Sequence, residues 1–238
     1  MATRILATSF IGCIAGITAI ASAAYAGASA TSGGAAFARL RAGVELRDAS
    51  SGYIESVDHA FAGPPDGAVP GGFDNLVLDD AGNLYGTTTG GGSASCNCGT
   101  VFKLTPSTSG YAETILLTFN RVDGSSPQAG LLAVKHALFG TALGGSSISD
   151  GGVVFELSPA RTGYRETIVH QFSGNRDGFA PAGALALGAR GVLFGMTSGG
   201  GRGKRGTVFK LAPSGTGYVE SIIYDFPSSS GGRSPSVR

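Results

Sequence analysis

The sequence predicts an all-β chain of tandem four-stranded repeats, arranged like the blades of a β-propeller. Three observations carry that reading. First, a pair of short strands joined by a Pro/Ser/Gly turn recurs as GTVFKLTPSTSGYAETILLTF (residues 99–119), GVVFELSPARTGYRETIVHQF (152–172) and GTVFKLAPSGTGYVESIIYDF (206–226). A worn copy over residues 43–61 keeps Leu46, Gly52, Tyr53, Glu55 and Phe61 in place. Second, Gly-Tyr pairs begin at residues 52, 110, 163 and 217. That period of about 54 residues suits a propeller blade better than the shorter coil of a β-helix. Third, the 238 residues include 41 glycines and no tryptophan, a composition of short strands and tight turns. Glycine on that scale fits helices poorly, since each interior glycine costs a helix roughly 1 kcal/mol. A β-solenoid or roll is the alternative.

Taken in order, residues 1–30 read as a secretory signal peptide. Arg4 supplies the positive start, an apolar stretch follows, and Ala24-Tyr25-Ala26 and Ala28-Ser29-Ala30 offer small-residue cleavage sites. A membrane anchor fits less well, because the stretch is short of a full span and has no charged stop. Cys13 lies in a poor lipoprotein box, with Phe10 ahead of it and apolar sequence beyond it. Residues 31–42 form an arm or linker, residues 43–227 the repeat array, and residues 228–238 the start of a further half-repeat.

Within the array four strands recur as a, b, c and d. Strand a is the VFKL run at 101–104, 153–157 and 208–211. Strand b begins at the repeat tyrosine and alternates, with Tyr111, Glu113, Ile115, Leu117 and Phe119 on one face. Neither face is strongly polar, as in a sheet covered on both sides. Strand c falls at 75–78, 131–134 and 184–187, and strand d at 83–88, 137–141 and 192–197. An Asp-Gly pair and then a proline lie between b and c, and a glycine-rich loop joins d to the next a. No segment after residue 30 has a helical period. Counted from the first a, the array has three and a half repeats, short of the four blades of the smallest rings. The expectation is a truncated array whose last hairpin exposes an edge open to self-association.

The strings GNLYGTT (82–88), GTVFKLTP (99–106) and GTVFKL (206–211) resemble the GloVer tandem repeat of secreted or surface-anchored bacterial proteins. The resemblance covers about residues 52–235. It implies an exported array, often followed by a C-terminal anchor, with no activity or catalytic residue attached to the repeat. No anchor segment follows Arg238 here and the repeats are few, which agrees with truncation.

Candidate chemistry is sparse. The chain carries 17 basic and 16 acidic residues, so no basic excess is available for a phosphate backbone and no nucleic-acid partner is expected. Gly201-x-Gly203-x-x-Gly206 matches a dinucleotide fingerprint by pattern, but strand sequence follows it instead of the helix that would hold a pyrophosphate. Gly203-Lys204-Arg205 fails as a P-loop, with Ser198 at its first glycine position and Arg205 in place of the metal-binding hydroxyl. Cys96-Asn97-Cys98 lacks two further zinc ligands nearby and reads as a loop clip, with a disulfide open to it in an oxidising compartment. His59 and His170 share one repeat phase, filled elsewhere by Leu117 and Tyr224, which reads as packing; His136 is the third histidine. Glu55, Glu113, Glu166 and Glu220 share another. Pairing with Lys103 or Lys210 is not required, because Glu45 and Glu156 replace those lysines, so hydrogen bonding to backbone is the expected role. Asp66, Asp123 and Asp177 are turn formers that double as candidate ligand positions for calcium or sugar hydroxyls. No cofactor, metal site or catalytic constellation is expected. The functional expectation is a non-enzymatic surface module for structure or recognition, binding an extracellular carbohydrate or protein through loops 90–98, 144–151 and 199–205. The alternatives are a carbohydrate-active enzyme with carboxylates gathered from several blades, and a non-functional fragment.

Overall fold

Short apolar strands separated by glycine-rich turns can satisfy their backbone groups only by pairing with one another, and each repeat does so as one antiparallel sheet. The computed structural model describes residues 45–47, 54–57, 59–71, 76–144 and 151–228. The N-terminal hairpin pairs β1 (Glu45–Arg47) with β2 (Ile54–Ser56). In the first blade β3 (Gly67–Pro70) and β4 (Val77–Leu78) both pair with β5 (Leu84–Gly91), followed by β6 (Thr100–Ser107) and β7 (Gly110–Thr118). The second blade is β8 (Leu132–Val134), β9 (Ala137–Ala142), β10 (Val153–Pro159) and β11 (Tyr164–Gln171). The third is β12 (Phe179–Leu187), β13 (Leu193–Gly199), β14 (Thr207–Ser214) and β15 (Gly217–Asp225). The only helical turn among the described residues is a 3-10 turn at Ala189–Gly191. No helix there is long and apolar enough to cross a membrane.

The order of strands within a sheet is c-d-a-b, which corrects the a-b-c-d unit expected from sequence. Strands c, d, a and b follow one another as hairpins, whereas the Asp-Gly segment after b carries the chain to the next sheet. The described residues therefore hold three complete propeller-like blades preceded by an a-b hairpin. In the first and third blades strand c also starts earlier than expected, with β3 directly after Asp66 and β12 directly after Asp177-Gly178, whereas β8 falls within the expected 131–134.

A second correction concerns strand b. The register passes from Val101↔Leu117 to Phe102↔Ile115, leaving Leu116 as a bulge. The same shift occurs from Val154↔His170 to Phe155↔Ile168 and from Val208↔Tyr224 to Phe209↔Ile222. An extra residue turns everything after it to the opposite face. Leu117 and Phe119 therefore do not continue the face that carries Glu113 and Ile115.

The core lies between the sheets. In the first two blades strands d and a are buried almost throughout, because a neighbouring repeat covers them. In the third blade buried and partly exposed residues alternate along both strands. The phenylalanine ending one strand b meets the strand-a phenylalanine of the next repeat edge to face. The pairs are Phe61–Phe102, Phe119–Phe155 and Phe172–Phe209, with centroids 4.9, 5.3 and 5.0 Å apart. Each strand-a ring lies over a strand-d glycine, Gly86, Gly140 or Gly195. A Cβ on that glycine would collide with the tip of Phe102, Phe155 or Phe209 respectively.

Buried threonines tie d to a beside these rings. Thr88 and Thr100 share a hydroxyl contact of 2.8 Å, as do Thr197 and Thr207, and the Thr88 and Thr197 hydroxyls also accept the N–H of Thr100 and Thr207. In the second blade Ala142 and Val153 fill those two positions, and Thr141, one residue earlier on the other face, is buried with no partner for its hydroxyl. A buried unpaired polar group is a net cost, whereas removing one member of a satisfied pair orphans the other. Thr141→Val should raise stability by about 1 kcal/mol and Thr197→Val lower it by about 1–3 kcal/mol, both read from urea unfolding. Equal effects of the same sign would contradict this assignment.

Candidate functional site

The Asp-Gly crossover brings an aspartate from one repeat onto the strand-b glutamate of the next. Glu113, Glu166 and Glu220 precede the bulge and sit opposite Leu104, Leu157 and Leu211. Lys103 and Lys210 pair instead with Thr114 and Ser221, one residue away and therefore on the other face. The hydrogen bond to backbone expected of these glutamates is absent at one oxygen in each described copy: Oε1 of Glu113, Glu166 and Glu220 is buried without a partner. The side chain of Glu55 lies outside the described residues.

The aspartates close the crossover loops. Asp66 accepts the N–H of Ala62 at 2.8 Å and that of Gly67, Asp123 accepts that of Asn120 at 2.9 Å, and Asp177 accepts the N–H and hydroxyl of Ser173. Three junctions result, Asp66 with Glu113, Asp123 with Glu166, and Asp177 with Glu220. Burial pushes the Glu113 carboxyl up to about 8, helped by its approach to Asp66. Burial and the Asp123 charge push Glu166 up to about 7, and burial and Asp177 raise Glu220. Asp123 is itself raised by burial.

Two junctions add a histidine. His59 Nε2 lies 3.3 Å from Glu113 Oε2 and 3.9 Å from Asp66 Oδ2, yet makes no hydrogen bond of acceptable geometry. The ring stands edge-on to Phe61 at 4.7 Å. His170 repeats this, 4.6 Å from Phe172 and with Nε2 4.0 Å from Asp177, and burial lowers its pKa against the pull of Asp177. The packing role expected of both rings is present, but each also aims a nitrogen at carboxylates. At the second junction Leu117 takes the histidine's phase.

A family model for the Gloeobacter/Verrucomicrobia repeat matches residues 29–237. The chain belongs to that family. No curated protein and no solved structure matches it. In this Gloeobacter/Verrucomicrobia repeat chain, the carboxylate junction is thus a feature of the repeat and recurs at each of its described boundaries.

The remaining candidates fall elsewhere. Cys96 and Cys98 are joined by a disulfide in the first d–a loop, where the side chain of Asn97 accepts the N–H of Gly91 at 2.6 Å. In the third blade's loop, Gly206 leads into β14, a strand, so the glycine fingerprint has no helix behind it. Arg202 there is tied to Asp225 through its N–H at 2.9 Å. Residues 145–150 of the loop between them lie outside the described residues. His136, exposed, borders a cleft of about 340 Å³ between the first two blades, lined also by Asp79, Lys135, Tyr85 and Tyr164. Asp79 is engaged there by Asn83 and by the Tyr85 hydroxyl at 3.0 Å, and these bonds lower its pKa.

Sequence reading placed the aspartates and glutamates separately and missed their convergence. The available signal was that both hold fixed phases on either side of every repeat boundary. A carboxyl whose folded pKa is raised stays protonated in the folded state, so its contribution is fully present below its unfolded pKa and is lost as pH rises through the folded value. Stability should therefore fall between about pH 4.5 and about pH 7 through Glu166. Glu166→Gln, which imitates the protonated carboxyl, should lose part of that slope when melting temperature is followed across this range. An unchanged slope would show that Glu166 is ionised at little cost.

Proposed function

We propose that the chain is an exported, non-enzymatic repeat module that recognises an extracellular carbohydrate or protein through its d–a loops. The observation that carries this reading is the recurrence of one aspartate–glutamate pairing at all three described repeat boundaries. An active site needs carboxylates in different environments with different roles. Here each aspartate is spent on closing its own loop, and each glutamate faces it from the next blade in the same way. Loops 90–98 and 199–205 differ from each other far more than the sheets do, one clipped by Cys96–Cys98 and the other carrying Arg202, Lys204 and Arg205. Binding residues held on loops by a rigid scaffold are a common arrangement. Export is supported by the pattern of residues 1–30, and the disulfide suits an oxidising compartment.

A secreted carbohydrate-active enzyme is the competing reading, favoured by one observation. Glu113 held protonated beside a carboxylate is the state of a general acid. Arrays of polysaccharides and surface proteins, probed with the purified chain, separate the two. The proposal expects binding without release of reducing sugar, and at least about tenfold weaker binding when residues 199–205 are replaced by a short turn. The melting temperature should hold in that variant. Turnover of any glycan would overturn the non-enzymatic reading. Unfolding of the loop variant would assign the loop to structure.

A further inference from the structure

We infer that His59, Asp66 and Glu113 form a divalent-cation site that clips the segment after the N-terminal hairpin to the first blade. The three side chains come from separate segments: the residues following β2, the crossover loop, and β7. Their ligand atoms nevertheless lie within 4.8 Å of one another. An ion with bonds of about 2.1 Å in tetrahedral geometry separates its ligand atoms by about 3.4 Å. The His59–Glu113 and His59–Asp66 distances of 3.3 and 3.9 Å straddle that value.

A second, independent observation points to a ligand. His59 Nε2 and Glu113 Oε1 are both fully buried, and neither has a hydrogen-bond partner among the described residues. Buried polar atoms in folded proteins are otherwise nearly always paired. The groups are also held in place before any ion arrives. Phe61 fixes the His59 ring edge-on, and the N–H groups of Ala62 and Gly67 fix the Asp66 carboxylate. Such outer contacts orient metal ligands.

The donor set selects the ion. One imidazole and two carboxylates suit zinc or manganese, whereas calcium and magnesium favour all-oxygen shells. The repeat supplies its own comparisons. At the third junction His170 Nε2 lies 4.0 Å from Asp177 and, like Glu220 Oε1, is unpartnered, but among the described residues only His59, Asp66 and Glu113 bring three ligand atoms within 4.8 Å of one another. At the second junction Leu117 leaves two carboxylates and no nitrogen.

The test uses the full-length chain, purified without a polyhistidine tag, stripped with chelator and carrying His170→Leu. That change copies the residue the second junction already tolerates and leaves the first junction as the one under study. Titration with zinc and with manganese should give one bound ion per chain by calorimetry and a rise in melting temperature. His59→Leu and Glu113→Gln should each weaken binding by about tenfold or more, as loss of one of three ligands implies. His136→Ala should leave it unchanged. Circular dichroism of each variant separates lost ligation from lost fold. Binding that survives both substitutions in folded protein, binding of calcium in preference to zinc and manganese, or no binding at all would overturn the site.

Discussion

The edge-to-face contact between one repeat's terminal strand-b phenylalanine and the next repeat's strand-a phenylalanine is the constraint on which the rest of the structure depends. The middle strands of the first two sheets are buried on both faces, so neither sheet completes its own core. Aromatic pairs in this geometry contribute roughly 0.5–1.5 kcal/mol beyond the area they bury. Their position does more than their energy. Seating Phe102, Phe155 and Phe209 requires a glycine beneath each ring, and bringing Phe119 and Phe172 across requires the strand-b bulge that turns them outward. Glycine, bulge and ring are parts of one device repeated along the chain. Stability in such an array is built from intrinsic repeat terms and neighbour interfaces.

The same device creates the junctions. Once Phe61, Phe119 and Phe172 are seated on strand a of the following blade, the Asp-Gly segment that comes after them leads from that contact to the blade's strand c. The aspartate then arrives beside the glutamate that precedes the bulge. Burial, and after it the neighbouring aspartate, raises the pKa of Glu113, Glu166 and Glu220, so an ionised carboxyl there is costly. A fold built only for stability would replace them with apolar residues. Their presence at all three boundaries, with a histidine at two, is the feature that packing alone does not account for. Membership of the Gloeobacter/Verrucomicrobia repeat family identifies the chain as a repeat protein and says nothing about ligand or activity.

Much of this fold was legible in the sequence. The period, the four strands and the all-β class follow from the Gly-Tyr marks, the VFKL runs and the turn glycines. The phase of the sheets was not, because linear order cannot say which of two consecutive connections stays within a sheet. The bulge was also hidden. Leu116 fits the apolar alternation on either face, so only the backbone register reveals that Leu117 and Phe119 have changed sides. The site was half legible. Asp66 was singled out as a turn former and Glu113 as a repeated position, but their meeting depends on a crossover between sheets that no local pattern encodes. His59 read as packing because Leu117 and Tyr224 share its phase. That inference holds for the ring and fails for its nitrogen.

The claim that the repeats are joined through their phenylalanine pairs is tested most directly by a double-mutant cycle on Phe172 and Phe209. Phe172→Leu and Phe209→Leu, alone and together, are compared by urea unfolding of the same protein. The account predicts a single cooperative transition in each variant and a coupling energy of about 1 kcal/mol between the two substitutions. Additive effects, or separate transitions for individual blades, would contradict it.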